Sequence, residues 1–369
     1  MKALRSENGG RSYSPGGGNY SSRATIYYIP LQLVLEMEKC DTNIGFTGEC
    51  IEVTTNKNNL FFKKKEKKIE EQIEEKINIY GDDRTFVTDW ERIDMMRIEN
   101  ICYDEQMFLE LAKTNHIYDP EGELQKCKDS GKIGGVKLNH GRVFRYGWNR
   151  LKKCLRAAVL YQGEHVEQGF DFHCADFKMM AVLAWILKDK YKLTEKDLND
   201  FTNDVKGDFY QTFIDWAEKK YKIVLDREVV KESLLRFRNS TNASKRFKEE
   251  FMFERQFFEE KYPNLTKSLL YNYKEIQNKN CISVHCQNVE GYIVHELILP
   301  RLEGVVSEPF SMCDAIWIKE SDINKANKVE KIALEQYDWL IESLKYNSVC
   351  FEDQEEKKIF EQLKNILAA

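Results

Sequence analysis

The chain has 369 residues, 42% of them apolar, and a formal net charge of −5, which suits a large core divided over two or three lobes and excludes a protein that coats nucleic acid indiscriminately. No run approaches the roughly 18 apolar residues of a membrane span, and Met1–Glu7 is too polar for a secretory signal, so a cytoplasmic protein without a membrane partner is expected. Ten cysteines with no Cys-x-x-Cys pair read as free thiols in a reducing compartment.

Residues 1–23, rich in Gly and Ser, read as a flexible arm. Residues 24–135 read as a mostly helical lobe. Ile69, Ile73 and Ile77 recur every four residues amid Lys and Glu between Lys63 and Tyr80, which makes a charged amphipathic helix. A further helical pattern runs from Trp90 to Lys113, until Asp119, Pro120 and Gly122 break it. Gly131, Gly134 and Gly135 extend the loop, and a domain boundary is placed there.

Beyond that boundary, Arg142–Arg156 holds six basic residues and no acid, interleaved with Phe144, Tyr146 and Trp148. Such a run on an acidic chain suggests a localised seat for a polyanion. Val166–His173 reads as a strand, and Ala175–Lys190 as a helix apolar nearly all round, which belongs in a core. Two helices follow over Leu193–Lys222, and a third begins after Asp226, a good N-cap residue. Arg227–Lys248 carries seven basic residues against two acidic ones. Ser244–Lys261 and Asn288–Leu299 are further helices, and Phe310–Ile318 is an apolar strand-like run around Asp314. Residues 331–369 complete the chain as C-terminal helices. A small sheet covered by helices is an α+β arrangement.

The chemistry-bearing residues stand out against these elements. Asp171 and Asp314 each sit in a strand-like apolar context without a basic neighbour. An ionised carboxylate there costs several kcal/mol unless a cation meets it, and a divalent metal is the usual answer. Asp176 falls at the same strand-to-helix corner as Asp171. Arg227 and Lys231, four apart on one helix, put two cations on one face. Gln287 and Glu290 lie on the helix before the second acidic run. Cys281, His285 and Cys286, with His173 and Cys174 elsewhere, read as small buried residues in preference to a zinc set.

At these positions the chain resembles the family A DNA polymerases, and more closely the compact polymerase-like proteins of plasmids and mobile elements. Asp171, Asp176 and the apolar helix from Met179 to Ala184 are similar to the family's first palm motif, and Arg227 with Lys231 to its fingers helix. Gly141, Arg142, Asn149 and Leu151 resemble its primer-contacting segment, and Cys313, Asp314 and Ala315 its last palm motif. Gly207–Tyr210, Phe258–Asn264 and Gln287–Glu290 are reminiscent of the compact group. The resemblance covers residues 140–330. It departs at Cys313 and Ala315, which replace a His and a Glu, at Asp176, which replaces a longer Glu, and at Leu235 and Asn239, where aromatic residues are usual.

The resemblance implies a right-hand polymerase: a palm with a small antiparallel sheet and helical fingers over residues 136–330, beside a thumb-like N-terminal lobe. It implies template-directed nucleotidyl transfer in replication of a mobile element, without a proofreading exonuclease. Asp171 and Asp314 would hold two Mg²⁺ ions, or Mn²⁺ in their place, and activate the primer hydroxyl. Arg227, Lys231, Asp176 and Leu235 would contact the nucleoside triphosphate. Arg142, Arg145, Trp148, Lys152, Gln287 and Glu290 would contact the DNA primer–template. Two other readings keep the scaffold: a catalytically degenerate nucleic-acid-binding protein, and an RNA- or primer-synthesising enzyme.

Overall fold

The computed structural model describes residues 5–6, 27–28, 87–131, 136–137, 142–239, 251–273, 281–346 and 354–368. Most of the expected arm, the Ile69–Ile77 helix, Gly141 and the first half of the Ser244–Lys261 helix lie outside them. The chain divides into two compact units, Met1–Lys67 and Lys68–Ala369. In the first, Arg5–Ser6 pairs antiparallel with Tyr27–Tyr28. All that follows concerns the second.

Its centre is a five-stranded antiparallel sheet of strands β1 (Ile101–Tyr103), β2 (Val159–Tyr161), β3 (Glu164–Asp171), β4 (Phe310–Met312) and β5 (Ala315–Lys319), in the order β1-β2-β3-β5-β4. Strands β2 and β3 join through Gln162 and Gly163, both at positive φ (53° and 82°), which is the backbone of a tight two-residue hairpin. The fold is therefore α+β with a small antiparallel sheet.

Along β5 the side chains alternate between two cores, because successive residues of a strand point to opposite faces. Ile316 and Ile318 join the larger core with Phe170 of β3 and Phe172 just beyond it. Ala315 and Trp317 join the smaller one with Trp148, Phe310 and Met312. Helix α4 (Ala175–Ile186), apolar nearly all round, is buried in the larger core, packed by α9 (Cys281–Tyr292) and α10 (Ala326–Lys345). Helix α9 continues through a wider-wound turn, Ile293–Ile298, to Leu302.

The smaller core is covered by α1 (Asp89–Glu99), α2 (Glu105–Thr114) and α3 (Pro120–Gly131). Thr88 and Glu91 form a reciprocal capping box on α1, and Asp104 caps α2. The pattern from Trp90 to Lys113 is thus two helices with the edge strand β1 between them. Strand β1, from before residue 135, pairs with β2, from after it. The other α-helices of ten or more described residues are α5 (Glu195–Lys206), α6 (Phe209–Tyr221), α7 (Arg227–Asn239), α8 (Met252–Lys261) and α11 (Gln354–Ala368).

One buried network ties these layers. Asp94 of α1, fully buried, accepts hydrogen bonds from the backbone N–H of Ser311 (2.9 Å) and its hydroxyl (2.6 Å), and lies 3.0 Å from His295 Nε2. His295 Nδ1 faces the Gly291 carbonyl at 2.8 Å. Burial alone would lower the His295 pKa, but the hydrogen bond and charge of Asp94 outweigh it and hold the value above the ordinary one. A raised histidine pKa stabilises the fold fully below about pH 6.5 and progressively less as pH rises through the folded value. Asp94→Ala is expected to cost about 3–5 kcal/mol in a urea titration near pH 6, since it strands a buried cation and two serine donors. A loss below ~1 kcal/mol would show that the network carries little.

Candidate functional site

Asp171 ends β3, and Asp314 stands in the two-residue turn between β4 and β5. The two strands are neighbours: Asp171 is in register with Ala315, and the N–H of Phe172 donates to the Asp314 carbonyl at 3.4 Å. The structure therefore brings together the two acids that the sequence singled out. It corrects one detail, since Phe310–Ile318 is not one strand but a hairpin with Asp314 at its tip.

Two local features aim these residues. The β3–β5 register shifts between Gln168 and Phe170, at Gly169, where an added Cβ would meet the Ile318 side chain at 3.0 Å. A bulge there bends the strand end that carries Asp171. On the other side, Cys313 adopts φ 58°, a left-handed conformation that costs a non-glycine residue roughly 1–2 kcal/mol. Strain of that kind concentrates at functional sites. Asn149 Nδ2 supports the turn from 3.7 Å against the Cys313 sulfur.

The surroundings are charged. Glu290, buried on α9, receives a bidentate guanidinium from Arg142 at 2.6 and 2.7 Å. Burial pushes the Glu290 carboxyl up, and Arg142 only partly opposes it. The carboxyl of Asp314 is pushed up to about 8, first by burial and then by the negative charges of Glu290 and Asp171, with Arg142 a smaller opposing influence. Three carboxylates thus share a corner with one guanidinium, and the hard oxygens of Asp171 and Asp314 are the donor type that divalent magnesium takes.

The strand-to-helix corner after Asp171 is built just as tightly. Cys174, at φ 56°, starts α4, and buried Lys178 donates to the carbonyls of His173 (2.9 Å) and Val205 (2.8 Å), fixing the turn. Asp176 is engaged from behind: Arg238 of α7, almost fully buried, reaches its carboxylate at 2.6 Å and its carbonyl at 2.9 Å. Asp176, expected to contact the nucleoside triphosphate, is thus held in an ion pair with Arg238.

At the other end of α7, Arg227 bonds Asp208 through Nε (3.3 Å) and Nη2 (3.2 Å), and lies over the Tyr210 ring at 5.2 Å. His173 Nε2 is 3.1 Å from the same guanidinium and 3.4 Å from Asp208. Ligand atoms of His173, Cys174 and Asp208 all lie within 4.8 Å of one another. The Arg227 guanidinium supplies the positive charge there, which opposes a metal in the same place. Lys231, one turn on, is exposed, and Leu235 is half-buried.

The expected nucleic-acid contacts separate into two groups. Arg142 and Gln287 keep partial exposure and Lys152 is exposed. Arg145 and Trp148 are corrected to interior positions. The Arg145 guanidinium is buried on the carbonyls of Ile98 and Ile101, and Trp148 is fully buried, its indole donating to the Ser311 carbonyl at 2.9 Å. Glu290 is likewise corrected, from a strand contact to the buried partner of Arg142. Sequence reasoning missed Asp208 and Arg238. The first had a visible signal, an Asp that caps α6 through the N–H groups of Tyr210 and Gln211. Arg238 was hidden within a run of basic residues.

Among the described residues no helix is long and apolar enough to cross a membrane. No protein-family model matches the chain, and neither a curated protein nor a solved structure matches it.

Proposed function

We propose that the chain is a template-directed nucleotidyltransferase of the DNA polymerase type, with the five-stranded sheet and α4 as palm and α6 to α8 as fingers. The observation that carries this reading is the meeting of Asp171 and Asp314 on neighbouring strands, in a corner where burial first and neighbouring negative charge second lift the Asp314 carboxyl to about 8. Carboxylates gathered this way fit a pair of divalent ions, Mg²⁺ or Mn²⁺, held by Asp171 and Asp314. Such ions would neutralise the triphosphate and make the primer hydroxyl a stronger nucleophile.

The chain's own residues do the remainder. Arg227 and Lys231, one turn apart on α7, bind the phosphates of the incoming nucleotide and offset charge developing on the leaving pyrophosphate. Lys152 and Gln287 touch the primer–template, and Arg142 reaches it from beside the acids. Arg145 and Trp148 act from within, anchoring the segment that carries Arg142. The second reading, a binding protein without catalysis, draws on Ala315, an apolar residue where the resemblance calls for a carboxylate. The third, an RNA- or primer-making enzyme, draws on the withdrawal of Asp176 to Arg238, which leaves the sugar 2′ position unguarded.

Primer extension with Mg²⁺ and separate deoxy- and ribonucleotide pools distinguishes the three. Extension from deoxynucleotides is expected, and its loss in Asp171→Asn. Extension undiminished in that variant would sink the metal assignment, and duplex binding without extension would favour the second reading.

A further inference from the structure

We infer that Asp208 is a built-in counter-anion: in the free protein its carboxylate occupies the polyphosphate seat formed by Arg227 and His173, and a triphosphate enters by displacing it. This inference rests on the reading of Arg227 as a triphosphate ligand.

The two oxygens of Asp208 share two tasks unequally. Oδ1 accepts the N–H groups of Tyr210 (3.1 Å) and Gln211 (3.2 Å) and so caps α6, with a longer contact from Arg227 Nη2 at 3.4 Å. Oδ2 takes both Nε and Nη2 of Arg227 and faces His173 at 3.4 Å. The second oxygen therefore sits where a planar guanidinium and an imidazole converge, the position a phosphate oxygen would take. Both partners are open to solvent, with side chains 36% exposed for Arg227 and 55% for His173. The Tyr210 ring under the guanidinium holds its plane whichever anion it meets. Exchange of one anion for another thus needs no rebuilding of α7. The Asp208 cap on α6 can persist through Oδ1 while Oδ2 lets go.

The prediction is separable from folding because Asn caps a helix about as well as Asp. Asp208→Asn keeps the cap and removes the charge. Titration of the full-length protein with inorganic tripolyphosphate in EDTA, so that no metal at the acids takes part, is expected to give binding about fivefold tighter in Asp208→Asn than in wild type, or ~1 kcal/mol. In an Arg227→Gln background the same change is expected to gain nothing, since the gain acts through the guanidinium. Asp208→Ser, also a good cap, serves as a second variant if the first unfolds early. Binding by wild type that Arg227→Gln weakens, but Asp208→Asn does not tighten, would overturn the inference and leave the triphosphate reading standing. Absence of tripolyphosphate binding in all forms would overturn both.

Discussion

Asp314→Asn is expected to abolish metal-dependent primer extension and, in the same protein, to raise the midpoint of thermal unfolding at neutral pH in the absence of metal. The activity loss, roughly a thousandfold or more, corresponds to several kcal/mol of transition-state charge stabilisation withdrawn with the ion. The stability gain follows from the Asp314 carboxyl standing at about 8 in the folded protein. In the unfolded chain the same carboxyl titrates near 3.9. Between those values the folded state holds a proton that the unfolded state has lost, so wild-type stability falls as pH rises across that window, by up to roughly 1.4 kcal/mol per pH unit. An amide in place of the acid removes that slope. Mg²⁺ should restore wild-type stability at pH 8 by binding only the folded form, and should leave the variant unmoved. A variant less stable than wild type at pH 8 without metal would mean that Asp314 is a structural cap. The function reading would then lose its main support.

How much of this arrangement was legible depended on the range of the interaction. Asp171 and Asp314 were readable because a lone acid in an apolar run is locally anomalous, whatever its partner. Their adjacency was not: strand pairing between β3 and β5 is a property of the whole sheet. The turn at Asp314 escaped because Cys313 is no ordinary turn residue, and only its φ of 58° makes the hairpin. Strand β1 escaped for a different reason, since three residues between two well-capped helices give too little alternation to detect. The buried helix α4 and the capped start of α7 were plain, because composition all round a helix and an Asp N-cap are local signals.

Charge pairing was the least legible. The run Arg142–Arg156 looked like one basic face, yet Arg142 turns to Glu290 and Arg145 turns inward to backbone carbonyls. A short helical turn over Tyr146–Asn149 sets these directions, and no spacing rule over four residues could. Likewise Arg238 and Asp176 are 62 residues apart. Their pairing consumed an acid that sequence assigned to the ligand. The same logic runs through the site: Arg142, Arg227 and Arg238 each meet a carboxylate of the chain itself. In the free state, these three guanidinium groups are already neutralised.

Of these pairs, Arg142 with Glu290 is the one whose disruption should destabilise the protein most. The Glu290 side chain is 4% exposed and that of Arg142 23%, so the carboxylate depends on its partner more than the guanidinium does. Arg142→Ala is therefore expected to lose about 3–5 kcal/mol at pH 8, because an uncompensated buried charge remains beside Asp314. The deficit should shrink at pH 4. Burial already raises the Glu290 carboxyl, and without Arg142 the group stays protonated to still higher pH, so stability is retained in acid and lost as pH rises. Glu290→Gln should be far milder, about 1 kcal/mol, since Arg142 keeps access to water and Asp314 loses a repelling neighbour. Replacing both, as Arg142→Met with Glu290→Leu, should recover most of the stability, since well-packed apolar groups often equal a buried ion pair. Urea unfolding of the four proteins at pH 4 and pH 8 gives the comparison. If Arg142→Ala and Glu290→Gln destabilise equally at both values, lost packing is responsible, and the charge balance drawn for this corner is wrong.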